Sequence, residues 1–194
     1  MKPHSRGRPG RLRIVAGRHG GRLLPVPSQP GLRPTPERVR ETLFNWLAPL
    51  IEGARCLDLY AGSGALGFEA ASRGAAQVTL VEQNPRVVRA LREHARVLGD
   101  PRVTVVRADA LRWLRAGGGP CDVVFLDPPF DADLLVPSCR LLAEHGWLAA
   151  RARVYLETPA SAGLPELPAG WRRVKEGRAG QVRFALAETG LELM

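Results

Sequence analysis

The stretch "ARCLDLYAGSGALG", Ala54–Gly67, decides the fold. Its first half alternates apolar and polar residues and reads as a strand. Its second half carries Gly62, Gly64 and Gly67 in GxGxxG spacing, and an apolar helical pattern begins at Ala65. Glycines at that spacing allow a tight turn and let a ligand approach the backbone. An acid, Glu82, closes the next strand-like run, "AQVTLVE". Such an acid accepts hydrogen bonds from ribose hydroxyls in nucleotide-binding α/β folds, and Gln83 follows it in the same turn.

Outward from this unit the pattern repeats. "PRVVRALREHARVLG" is a helix with Val88, Leu91, Ala95 and Leu98 on one face. "RVTVVRAD" and "CDVVFLD" are strands separated by a short helix through Leu111 and Leu114. "ADLLVPSCRLLAEHGWL" is expected as a helix that breaks or restarts near Pro137. "RVYLET", "WRRVKE" and "QVRFALAE" complete seven strands, the last two as a hairpin. Regular β-α alternation predicts an α/β fold: a mostly parallel seven-stranded sheet with helices on both faces and one antiparallel strand.

Before this unit, "GLRPTPERVRETLFNWLAPLI" holds a helix start, with Thr35 as N-cap and Pro36 at the first helical position. Val39, Leu43, Trp46, Leu47, Leu50 and Ile51 follow helical spacing. Earlier still, "RLRIVAG" and "RLLPVP" flank "GRHGG" and predict a basic β-hairpin too small to fold alone. Three segments are expected: a disordered basic tail over 1–10, the hairpin over 11–34, and the main domain over 35–194.

The net charge of +9 is concentrated at the start of the chain. Residues 1–36 hold eight basic residues and no acid. Lys2 and Lys175 are the only lysines. Arginine reads phosphate bidentately and stacks on bases, so segregated arginine points to nucleic acid. A solvated basic face is the plainer alternative. Cys56, Cys121 and Cys139 are far apart, with no metal-ligand spacing, and read as reduced core residues. No metal site is expected. Nor is a membrane span or a signal sequence, so the chain is read as soluble and cytoplasmic. His4, His19, His94 and His145 read as surface residues.

NAD and S-adenosylmethionine sites share the glycine-loop skeleton. Three features favour S-adenosylmethionine. Asp58 ends the first strand, placed to face a cationic amino-acid moiety. Asp109 ends the third strand, beside Ala110, where a carboxylate can meet an adenine amino group. The fourth ends in "DPPF", Asp127–Phe130. Any one of these acids alone reads equally well as a cap or turn former. Pro128 and Pro129 end the strand and stiffen the loop. That rigidity fixes the Asp127 carboxylate and the Pro128 carbonyl as acceptors for an exocyclic amino group. Phe130 stacks on the flat base. Transfer to such an amino group is governed by positioning.

Taken together, "RIVAG", "GLRPTPERVRETLFNWL", "CLDLYAGSGALGFEAASRGA", "TLVE", "DVVFLDPPF" and "AGQVRFALAE" resemble the RsmD-type bacterial methyltransferases, which modify guanine N2 in 16S ribosomal RNA. The resemblance runs from about Leu12 to about Ala187. The resemblance implies a class I, Rossmann-like methyltransferase fold with an RNA-contacting N-terminal hairpin. It implies Asp58, Gly62, Ser63 and Gly64 on the methionine and ribose side, Glu82 and Gln83 at the ribose, and Asp109 with Ala110 at adenine. Asp127, Pro128, Pro129 and Phe130 form the target-base site. Arg33, Thr35, Arg38 and Arg40 are expected by the cofactor or the RNA backbone, and the hairpin residues Arg11, Arg13, Arg18 and Arg22 are expected to contact RNA. The expected partner is 16S rRNA or the small ribosomal subunit, and the expected state a monomer. His19 stands where relatives often carry an aromatic residue. Methylation of adenine or cytosine in DNA or another RNA is the alternative, and it lacks a separate target-recognition domain. A non-catalytic RNA-binding protein is disfavoured by the intact DPPF and glycine loop.

Overall fold

Alternate residues of the central strands are buried on opposite sides of one sheet, the signature of strands covered on both faces. Cys56, Phe125 and Tyr155 join one apolar core, while Leu57, Val124, Leu126, Val154 and Leu156 join the other. The computed structural model describes residues 10–29, 32, 35–130 and 133–190. Seven strands make this sheet: β3 (Arg55–Asp58), β4 (Gln77–Glu82), β5 (Val103–Arg107), β6 (Cys121–Leu126), β7 (Leu148–Pro159), β8 (Arg172–Ala179) and β9 (Val182–Glu188). Their order is β5-β4-β3-β6-β7-β9-β8. Neighbours from β5 to β7 pair in parallel, and β9 is antiparallel to both β7 and β8.

Helices α1 (Glu37–Leu47), α2 (Ala65–Ser72) and α3 (Pro85–Leu98) fill the first core, and α4 (Ala110–Arg115) and α5 (Leu135–Glu144) the second. The best-capped is α3. The Asn84 side chain accepts from the Arg86 and Val87 amides, Pro85 opens the helix, and Gly99 closes it in the left-handed region. The chain order reverses beside β3, which has β4 on one side and β6 on the other. Such a switch point opens a crevice at the carboxyl ends of the strands.

The predicted hairpin pairs β1 (Gly10–Arg13) with β2 (Leu23–Val26), so Gly10 is in a strand and not in a tail. Leu12, Ile14, Leu24 and Val26 are buried in the first core, and Arg11, Arg13, Arg18 and Arg22 are exposed. The expected tail over residues 1–9 lies outside the described residues.

Several expectations are corrected here. Thr35 does not cap α1. Pro36 occupies the cap position and has no side-chain acceptor, and the Thr35 hydroxyl donates to Asp127 instead. The helix ends at Leu47, which leaves Leu50 exposed. The helix α5 begins at Leu135, so Pro137 sits harmlessly in its first turn, and it stops before Gly146, whose φ is +72°. His19 and His94 are buried, not surface. The His19 ring meets Asp100 at 3.1 Å and its amide donates to the Ser72 hydroxyl, so the turn is docked onto the main domain. His94 packs edge-on against Phe68.

Candidate active site

The crevice at the switch point is a cleft of about 520 Å³. Its back wall is the glycine loop after β3. Gly64 adopts φ +81°, and a Cβ there meets the Phe68 ring at 2.4 Å. At Gly67 a Cβ lies 2.0 Å from Leu80, so that glycine lets α2 close onto β4. The Gly67 amide donates to Asp58 at 3.0 Å. Asp58 is buried beneath the loop and does not line the cleft, and neither does Gly64. In the structure Asp58 holds the Gly67 amide and Gly64 packs against the Phe68 ring, so both support the loop. Burial, only partly offset by the Gly67 amide, raises the Asp58 carboxyl to about 7.

Gly62 and Ser63 form the wall itself. Glu82, at the end of β4, holds the loop from the other side. One oxygen accepts from the Gly62 amide at 3.1 Å, and the other from the Asn84 amide at 2.7 Å. Gln83, Asp109 and Ala110 line the next segment. Asp109 also caps α4 by accepting from the Arg112 amide at 2.8 Å, so its structural and ligand-facing readings coexist. Glu82→Ala should weaken binding of a ribose-bearing ligand by ~1–3 kcal/mol, the cost of leaving polar groups without partners. Calorimetry with S-adenosylmethionine measures this, and an unchanged affinity moves the ribose acceptor elsewhere.

The DPPF loop forms the mouth. Asp127, Pro128, Pro129 and Phe130 all line the cleft, and Phe130 is 49% exposed, unlike any core phenylalanine. An exposed ring at a cleft mouth is available for stacking. Asp127 Oδ2 accepts from the Thr35 hydroxyl at 3.3 Å. Its carboxyl is raised well above the usual carboxylate range, first by burial and then by the nearby Glu157 and Asp58 charges.

Of the residues expected to meet RNA, Arg38 is exposed, as are the four hairpin arginines. Arg33 lies outside the described residues. Arg40 does not face RNA. It is 3% exposed, ion-paired to Glu69, and donates to the carbonyls of Arg13 and Thr35. Thr35 is buried in the cleft wall, and its hydroxyl donates to Asp127.

Glu157 was not among the expected site residues, yet it lines the same cleft. The available signal was its position: like Asp58, Glu82 and Asp127, it is an acid at the carboxyl end of a parallel strand. The cleft therefore presents Glu82, Asp109, Asp127 and Glu157, while no lysine, arginine or histidine among the described residues lines it. Acids unpaired with cations suit a ligand that brings its own positive charge. A pyrophosphate faces repulsion there. These acceptors thus fit a sulfonium-bearing nucleoside better than an anionic dinucleotide.

The chain matches the family described as "Conserved hypothetical protein 95" over residues 12–188. It is 48% identical over 186 residues to the ribosomal RNA small subunit methyltransferase D of Escherichia coli, covering 96% of this chain and 94% of that protein. The protein of the same description from Haemophilus influenzae is 42% identical, over 91% of this chain and 93% of its own. The solved structure of the putative methyltransferase yhhF from Escherichia coli superposes with a TM-score of 0.89 at 45% identity, covering 94% of this chain and all of that one.

Proposed function

Because the chain belongs to the Conserved hypothetical protein 95 family, that of ribosomal RNA small subunit methyltransferase D, we propose that it transfers a methyl group from S-adenosylmethionine to the exocyclic N2 of a guanine in 16S ribosomal RNA. The observation that carries the chemistry is the acid-lined cleft with DPPF at its mouth. S-adenosylmethionine supplies an electrophilic methyl on a sulfonium, whose sulfur keeps the bonding pair and leaves as a neutral thioether.

This chain's residues do the positioning. Gly62 and Ser63 flank the methionine portion, Glu82 with Gln83 holds the ribose, and Asp109 with Ala110 meets the adenine. Phe130 stacks on the target base. The Asp127 carboxylate and the Pro128 carbonyl accept the two amino N–H bonds, which turns the nitrogen lone pair toward the methyl. As the N–C bond forms, that nitrogen gives up one proton, first to the Asp127 carboxylate and then to solvent. Positioned acid–base groups of this kind contribute about 10²–10⁴-fold. The enzyme works in the cytoplasm on 16S RNA or the small subunit.

Incubation of 16S RNA and of small subunits with radiolabelled S-adenosylmethionine, followed by nucleoside analysis, tests the reading. Label in N2-methylguanosine is expected. Label in adenosine or cytidine, or none, overturns it.

The hairpin supplies affinity. Exchanging Arg11, Arg13, Arg18 and Arg22 for glutamine should weaken RNA binding and flatten its salt dependence. Each lost phosphate contact removes roughly 0.7–0.9 from the log–log slope. Affinity for S-adenosylmethionine should barely change. Identical slopes for the two proteins, across a salt series, mean that this charge is only a solvated surface.

A further inference from the structure

Asp127 and Glu157 form a pair by construction. Strands β6 and β7 run in parallel, with Phe125 opposite Tyr155 and Leu126 opposite Leu156. Asp127 and Glu157 are the next residues on the two chains. Alternation puts their side chains on the face that holds Phe125 and Tyr155. Both line the cleft. Glu157 is 4% exposed, and its Oε2 accepts from the Tyr155 hydroxyl at 2.7 Å. Asp127 is held by Thr35. Each carboxyl group therefore has one oxygen tied to a protein hydroxyl. Its other oxygen has no hydrogen-bond partner among the described residues.

Positioning an amino group beside a methyl donor accounts for Asp127 and leaves Glu157 unused. A second buried acid beside the first costs stability, since burial and mutual repulsion both oppose ionisation. It becomes intelligible once the base is considered. The amino groups of adenine and cytosine each adjoin a ring nitrogen with a lone pair, a donor beside an acceptor. The guanine amino group lies between N3 and N1–H, so on its N1 side a donor sits beside a donor. Two adjacent carboxylates match the guanine edge and repel the other two.

We propose that Glu157 is the specificity-determining residue for guanine, its carboxylate accepting the N1–H while Asp127 accepts from N2. The proposal rests on the methyl-transfer reading above and assigns the choice of base to a side chain. Discrimination then has both an attractive and a repulsive part: a wrong base loses a hydrogen bond and sets a lone pair against a buried carboxylate. Tyr155 acts as a positioning residue, because its hydroxyl fixes one Glu157 oxygen and leaves the other for the base.

2-Aminopurine separates the two acids, since it keeps the amino group and has a lone pair at N1. Small subunits are reconstituted with 16S RNA carrying either guanine or 2-aminopurine at the methylated position, and kcat/KM is measured for both. The wild-type protein should prefer guanine on the order of 10–100-fold, the effect of one hydrogen bond to a charged group. Glu157→Gln should shrink that ratio at least tenfold, because an amide can turn an N–H toward the ring nitrogen. Its affinity for S-adenosylmethionine, by calorimetry, should fall by far less than this ratio, since only one of the four cleft acids loses its charge. Equal use of both bases by the wild-type protein overturns the proposal without any variant. So does an unchanged ratio in Glu157→Gln. Failure to methylate the guanine particle itself overturns the methyl-transfer reading, and this assignment with it.

Discussion

Asp127→Ala is expected to abolish methyl transfer while leaving S-adenosylmethionine affinity nearly intact. In the proposed mechanism the substitution removes the acceptor that orients the amino group and takes its proton. It also strips the Thr35 hydroxyl of its partner. Positioning and acid–base effects of this kind together account for about 10²–10⁴-fold or more in rate. Glu82, Gln83 and Asp109, proposed above to hold the cofactor, lie at or just beyond the ends of β4 and β5, two and three strands away from β6, and are untouched. Single-turnover transfer of a labelled methyl, beside calorimetry, separates the two effects, and near-normal turnover sinks the role. A pH series adds a check. Burial, with the Glu157 and Asp58 charges, raises the Asp127 carboxyl well above 3.8. Only the ionised carboxylate can take the amino proton, so the rate should rise with pH across a range above that of an ordinary aspartate. Asp127→Asn, which cannot titrate, should lose that limb of the profile.

The sheet was legible because its information is local. Period-two alternation marks each strand, and turn residues mark its end. The glycine loop and DPPF were legible because a ligand approaching the backbone restricts residue type at fixed spacing. What escaped were contacts across the chain. Thr35 has the spacing of a helix cap, and only the fold puts its hydroxyl against Asp127, 92 residues away. Arg40 belongs by sequence to a basic cluster, yet a buried acid on α2 holds it inside. His19 looks like a loop tip because Asp100 is remote in sequence. Glu157 sits in a run, "VYLETP", that carries no motif, and its meaning comes from the register with β6. A polar residue gets its role from its partner, and the partner's distance in sequence sets how legible that role is.

The largest stability effect should come from Glu69, a residue with no sequence signature. It lies on α2, fully buried. Its carboxylate accepts from the Val15 amide at 2.8 Å, the Ala16 amide at 3.1 Å, Arg73 at 2.7 Å and Arg40 at 3.4 Å. These partners come from the hairpin, α1 and the loop after α2. Glu69→Ala leaves the Arg40 guanidinium buried without its counter-ion and two hairpin amides without acceptors. Breaking a buried pair from one side costs about 3–5 kcal/mol, a large share of the 5–15 kcal/mol typical of a domain. Glu69→Gln should cost less, since it keeps a buried acceptor and loses only the charge. Urea unfolding should show a lower midpoint for Glu69→Ala at unchanged slope. A double-mutant cycle with Arg40→Met should recover part of the loss, because the stranded charge is then gone. A loss below about 1 kcal/mol contradicts the arrangement. The consequence reaches the chemistry. Arg40 donates to the Thr35 carbonyl at 3.2 Å, and the Thr35 hydroxyl donates to Asp127. Loosening Glu69 therefore frees the hairpin and the support of the Asp127 carboxylate together. Glu69→Ala, where still folded, should lose RNA affinity and transfer rate in parallel, whereas the hairpin arginine exchanges reduce affinity alone.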